Sequence, residues 1–198
     1  MHRTLLVAAL GDSITAGTPF WDPDAAIRAT IGPGLDERHQ WGYWAERANP
    51  GIRVRNHGVN GERTGQIAAR LDSALDGADV LIVQGGINDI AQGWPIGPAL
   101  ASLEAMVRRG KASGLPVAVA NLLPWNNGFP ANDPLIRELN AGIAAFAAAE
   151  GVELLDFFAT LEDPARRGTM PDAWTSEGDH PSLEGYRRLG ELAFRLPS

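Results

Sequence analysis

The sequence has no cysteine, which excludes disulfide stapling, zinc–thiolate sites and a thiol nucleophile. It has no excess of basic charge. Lys and Arg number 17 against 24 Asp and Glu, for a net charge of −7. There is thus no basic face for nucleic acid and no polybasic segment for an anionic membrane. No run reaches the ~18 apolar residues of a membrane span, so no stable membrane insertion is expected. The G-x-G-x-x-G and phosphate-loop lysine patterns are missing, as is the G-x-S-x-G elbow of ordinary α/β-hydrolases. Glu177, Asp179 and His180 stand together, but a second histidine at ligand spacing is lacking, so neither a metal nor a cofactor is expected.

What remains is a globular chain of 198 residues, 44% apolar and 21% charged, too apolar for disorder. At roughly 150 residues per domain, a single domain over 1–198 is expected. The first ten residues are too short for a secretory leader. The cytoplasm is therefore the default location, and a secreted mature form stays open.

Five short apolar runs read as strands: Thr4–Leu10, Ile52–Asn56, Asp79–Gln84, Pro116–Asn121 and Val152–Phe157. They show little polar alternation, as strands covered on both faces do. Helical spacing or helix-end signals mark Thr64–Leu75, Pro98–Ala112, Asp133–Glu150 and Ser182–Leu196 between and after them. In the last of these, Leu183, Tyr186, Leu189 and either Leu192 or Ala193 face inward. Alternating strand and helix predicts an α/β fold with a parallel sheet between two helix layers. Thr18–Gln40 and Phe158–Asp179 read as long irregular loops, which in compact domains are usually functional.

Sites in such sheets form beyond the carboxyl ends of the strands, and the segments that follow the predicted strands carry complementary chemistry. Gly11-Asp12-Ser13-Ile14-Thr15 follows the first. Asn60-Gly61 lies beyond the second, Gly86-Ile87-Asn88-Asp89 beyond the third, and Thr175 to Ser182 precedes the last helix. Acyl transfer needs this set: a serine hydroxyl activated by a histidine, a carboxylate that holds the imidazole tautomer, and donors for the developing oxyanion. Ser13 can offer a hydroxyl and its own amide, Gly61 an unobstructed amide, Asn88 a carboxamide N–H, and His180 an imidazole beside carboxylates. Asp12 and Asp89 read as loop braces, His57 as structural, and His2 and His39 as solvated. Trp21, Trp94, Trp125 and Trp174 fall in loops on the same predicted edge, where they can hold an acyl chain, stack on a sugar or simply pack loops.

These blocks, in this order and spanning residues 11–182, resemble the GDSL/SGNH hydrolase family, with Ile14 where the family name has leucine. The resemblance implies a single-domain, flavodoxin-like three-layer α/β/α sandwich around a five-stranded parallel sheet. It implies metal-free ester hydrolysis through an acyl-enzyme, with Ser13 as nucleophile, His180 as base, and Ser13 N–H, Gly61 N–H and Asn88 as oxyanion donors. One departure bears on the third triad member. The family places aspartate three residues before the histidine, and here that position is Glu177. Asp179 directly precedes His180 and would point away from its ring, so Glu177 is the expected acid. Asp179, or a Ser–His pair oriented by a backbone carbonyl, are the alternatives. The expected activity is hydrolysis of short-chain acyl esters on a small-molecule ester or acylated sugar. Carbohydrate O-deacetylase, lysophospholipase, thioesterase and acyltransferase are rivals within the class. A non-catalytic module that binds acylated glycans is the rival outside it. The sequence is silent on oligomeric state.

Overall fold

The computed structural model describes residues 3–197 of the chain. The elements in chain order are β1 (Leu5–Gly11), α1 (Ser13–Ala16), α2 (Ala25–Ile31), α3 (Trp41–Ala48), β2 (Ile52–Gly58), α4 (Thr64–Ala69), α5 (Leu71–Leu75), β3 (Val80–Val83), α6 (Ile87–Ala91), α7 (Ile96–Ala112), β4 (Val117–Ala120), α8 (Asp133–Glu150), β5 (Glu153–Leu155), α9 (Phe157–Leu161) and α10 (Leu183–Arg188). The five strands form one parallel sheet in the order β2-β1-β3-β4-β5. Helices cover both faces, so the three-layer α/β/α sandwich expected from the sequence is the fold.

Strand side chains alternate between the two faces, and the core divides accordingly. Ala8, Leu10, Leu81, Val83, Val117 and Val119 pack against α4, α5, α7 and α8, through residues such as Ile67, Leu103 and Leu139. Val7, Ala9, Val80, Ile82, Ala118 and Ala120 pack on the other face against Ile14, Trp41, Phe157 and Tyr186. Both sets are almost wholly buried, which is why these strands read as continuous apolar runs. A Leu or Ile buried this completely contributes about 1.5–3 kcal/mol of transfer free energy.

Several boundaries differ from the sequence reading. The segment Thr64–Leu75 is two helices broken at Arg70, whose backbone sits at φ −101, ψ 0. The run Val152–Phe157 yields only the short β5, because Asp156 leaves the sheet to cap α9, its carboxylate accepting from Ala159 N at 3.0 Å. Thr18–Gln40 holds α2, capped by Asp24, and Phe158–Asp179 includes the body of α9 and a single 3₁₀ turn at Asp172–Trp174. The last helix widens into a π turn at Leu189–Ala193. There Ala193 is buried and Leu192 is exposed. His39 is half-buried, not fully solvated: its ring lies 4.7 Å from that of Phe20 and edge-on to Tyr186. His2 lies outside the described residues.

The junction of β1 and α1 is a tight turn on the sheet edge. A Cβ on Gly11 would lie 2.3 Å from Thr15 Oγ1 and 2.6 Å from Gln84 Oε1, so no other residue fits without displacement. Asp12 follows, fully buried, and its Oδ1 accepts from Ile14 N at 2.9 Å. Burial pushes its carboxyl up to about 6, against 3.8 for a solvated aspartate. The folded state therefore holds this proton more tightly than the unfolded chain. Its contribution to stability is complete below pH 3.8 and is lost as pH rises through about 6. The loss amounts to about 3 kcal/mol at most. Asp12→Asn keeps the acceptor for Ile14 and removes the titration. Urea unfolding between pH 4 and pH 7 is expected to show a decline in the wild type that this variant lacks. Parallel curves for the two proteins would contradict this account.

Candidate active site

The carboxyl ends of β1, β2 and β3 each deliver one predicted group. Ser13 is the first residue of α1 and only 4% exposed. Its turn is tied to β3 by Gln84, whose Oε1 accepts from Thr15 Oγ1 at 2.8 Å and from Asp12 N at 3.3 Å. Gln84 is buried and was not singled out in the sequence. A glutamine ending an otherwise apolar strand is the signal that marks it.

Asn88 is the second residue of α6. Its Nδ2 donates to Glu62 O at 2.9 Å, which fixes the amide plane. The amide's second N–H points elsewhere, since the two donors of a carboxamide diverge. The next residue, Asp89, is buried and clamps the start of α4, accepting from Thr64 N and from Thr64 Oγ1, each at 2.9 Å. One turn on, Gln92 Nε2 donates to Gly61 O at 3.1 Å. Three side chains of one short helical segment thus hold the loop that carries Gly61. Gly61 itself has φ +78, a conformation glycine adopts without strain.

His180 comes from the loop before α10. Its Nδ1 is hydrogen-bonded to Glu177 Oε1, and the same oxygen accepts from His180 N at 3.1 Å. Asp179 is engaged elsewhere: its Oδ1 accepts from Trp125 Nε1 at 2.6 Å and from Asn127 Nδ2 at 2.7 Å. The loop is closed on itself, with His180 O accepting from Ser176 N at 3.0 Å and Thr175 Oγ1 at 2.9 Å.

Ser13, Asn88 and His180 line a single cavity of about 170 Å³, walled on its apolar side by Ile14, Ile87 and Trp125. Asn60 also lines it, while Gly61 stands at the exposed edge of the same loop. His57 is not in this wall. Burial first, then the Arg55 and Arg70 charges, hold it below its ordinary value, which favours the neutral ring. Of the loop tryptophans, Trp125 alone borders the cavity. Trp94 lies under the Arg63 guanidinium beside a neighbouring cavity of about 250 Å³. Trp21 and Trp174 are covered by Arg28 and Arg188.

The arrangement provides a buried hydroxyl, an imidazole whose Nδ1 is occupied by a carboxylate, and a carboxamide N–H around one small cavity. Solved structures share the fold. A G-D-S-L family protein from Desulfitobacterium hafniense aligns over 96% of this chain and 97% of its own, at 23% identity and a TM-score of 0.77. A GDSL-like lipase from Bacteroides thetaiotaomicron covers 96% and 85%, at 20% identity and 0.72. A catalytic mutant of an acetylxylan esterase from Geobacillus stearothermophilus covers 96% and 92%, at 18% identity and 0.73. No curated protein matches the sequence. The segment that bears all of these groups, residues 9–188, matches the GDSL-like Lipase/Acylhydrolase family, and the chain belongs to that family.

Proposed function

We propose that the protein is a serine esterase acting on short-chain acyl esters. The observation that carries this reading is the Glu177–His180 Nδ1 hydrogen bond at the mouth of a cavity that Ser13 and Asn88 also line. With Nδ1 held by the carboxylate, Nε2 is the free acceptor. Ser13 Oγ attacks the ester carbonyl as its proton passes to His180 Nε2. The carbonyl oxygen becomes an oxyanion bound by Ser13 N–H, Gly61 N–H and the free Nδ2–H of Asn88. Collapse breaks the bond to the alcohol oxygen, which leaves with the proton from Nε2. Water then gives a proton to Nε2 and attacks the acyl-enzyme, and Ser13 leaves with that proton as the acid is released.

Glu177 has one more methylene than aspartate, and its reach is accommodated because its own loop folds back on the His180 amide. Asp179 serves Trp125 and Asn127 and has no part in the proton transfers. The cavity is small beside the ~300 Å³ lower range of ligand pockets, which favours acetyl and butyryl over long acyl groups.

A second reading concerns the alcohol. A larger polar groove of about 420 Å³ runs behind Glu177, lined by Asn126, Asn127, Arg166, Asp172 and Ser176 among others. That lining suits a hydroxyl-rich alcohol, so a carbohydrate acetyl ester fits this surface better than a lysophospholipid. The likeness to an acetylxylan esterase agrees with it. No helix among the described residues is long and apolar enough to cross a membrane.

With p-nitrophenyl esters, Ser13→Ala is expected to lower kcat by about 10⁴-fold or more, and Asn88→Ala by about 10²–10³-fold. Wild-type turnover by Ser13→Ala would exclude the serine mechanism. Glu177→Gln should cost about 10²–10⁴-fold through loss of the correct tautomer, while Asp179→Asn stays within about fivefold, since the amide oxygen still accepts from Trp125. The reverse ranking would assign the acid to Asp179. A chain-length series from acetate to octanoate is expected to drop in kcat/KM by about tenfold or more beyond butyrate, as the cavity runs out of space. A rising series would discard the short-acyl assignment. Acetate release from acetylated xylo-oligosaccharides, measured beside lysophospholipid hydrolysis, tests the alcohol side.

A further inference from the structure

Arg70 occupies the break between α4 and α5, and its side chain runs to the carboxyl edge of the sheet. Its Nε and Nη2 donate to Glu62 Oε2 at 2.9 and 2.6 Å. Its Nη1 donates to His57 O at 2.8 Å and its Nη2 to Gly11 O at 3.1 Å. Arg38 and Arg187, by contrast, bond to carboxylates within four residues of themselves on the surface. Arg70 joins three segments: the end of β1 two residues before Ser13, the end of β2, and the loop residue immediately after Gly61. It is about one-quarter exposed at the side chain, and Glu62 less so.

This geometry matters because the two backbone oxyanion donors sit on different segments. Ser13 N–H belongs to the β1–α1 turn and Gly61 N–H to the loop beyond β2. Their spacing has to match one oxygen atom. The Gly11 carbonyl also accepts from Val59 N at 3.1 Å, so both the arginine and the backbone hold the same strand end to the same loop. A guanidinium suits this position because its planar fork presents five donors in fixed directions, whereas an ammonium is a point charge on a flexible stem.

Resting on the serine-esterase reading above, we infer that Arg70 is a positioning residue. It sets the separation of the Ser13 and Gly61 amides by tying the Gly11 carbonyl to the Glu62 carboxylate. It touches no substrate and moves no proton. Its effect is therefore confined to transition-state stabilisation, where a misplacement of about 1 Å costs about 10²-fold.

The test uses Arg70→Lys, which keeps the charge opposite Glu62 and loses the fork, and Glu62→Gln, which weakens the same tie from the loop side. Turnover of p-nitrophenyl acetate and butyrate is measured per active serine, counted by stoichiometric labelling with a fluorophosphonate. In Arg70→Lys, kcat is expected to fall about 10–100-fold, with KM within about twofold for both esters. The acid limb of the pH profile is expected to stay in place, because the Glu177–His180 pair is untouched. Glu62→Gln is expected to show the same pattern at about 3–10-fold, and it decides the matter if the lysine variant does not fold. Wild-type kcat per labelled serine in the folded variants overturns the role. So does a loss confined to the labelled fraction, to KM or to a displaced pH profile. Ser13→Ala separates the two levels. If it is inactive while the Arg70 and Glu62 variants turn over normally, the esterase reading stands and the positioning role falls. If it is active, both fall.

Discussion

The adjacency of β1 and β3 governs everything at the site. The chain leaves β1, crosses one face to form β2 on one side, and returns to place β3 on the other, so β1 lies between them. At that point the segments following β1 and β3 diverge to opposite faces of the sheet and leave a crevice between them, where ligands of open parallel sheets bind. Ser13 rises from one lip and Asn88 from the other. Neither strand has a choice of register. Their side chains are buried on both faces, and a shift by one residue would exchange the two halves of the core. Packing energy spent far below the edge therefore determines where the two groups stand.

Above that edge, the bracing is polar and comes from residues that belong to neighbouring segments. Gln84 at the end of β3 holds the turn of Ser13. Asn88, Asp89 and Gln92 hold the loop of Gly61. Trp125 and Asn127, beyond β4, hold the loop of His180. Each loop is thus anchored by side chains from another strand's exit. Backbone groups at such an edge are partly shielded from water, and leaving one unpaired costs on the order of 1–3 kcal/mol. The braces satisfy those groups and orient them together.

The fold was legible because β1, β3 and β4 carry nearly uninterrupted apolar runs, as strands covered on both faces do. Ser13 and Asn88 were legible because each follows closely on a strand end, and His180 because it stands beside carboxylates just before the last helix. Side-chain reach was not. Periodicity shows Ile67, Ala68, Leu71 and Leu75 on one helical stripe, yet says nothing of the break at Arg70 or of its side-chain bonds to residues as distant as Gly11. The early end of β5 has a similar origin, since Asp156 is drawn into a cap and into a bond with Asn121 Nδ2 at 2.8 Å. His39 read as a solvated histidine. Its partial covering comes from Phe20 and Tyr186, remote in sequence. Between Glu177 and Asp179, spacing favoured the first, and Trp125 and Asn127 supply the reason the second is occupied.

The loop from Thr175 to Ser182 closes through hydrogen bonds among its own members, and both Glu177 and His180 ride on it. The carboxylate and the ring are three residues apart in one self-bonded hairpin, not on separate strands. Any tilt of that hairpin carries the two together as a rigid pair. A displacement of this hairpin would therefore change how far the ring stands from the serine hydroxyl without parting it from its carboxylate.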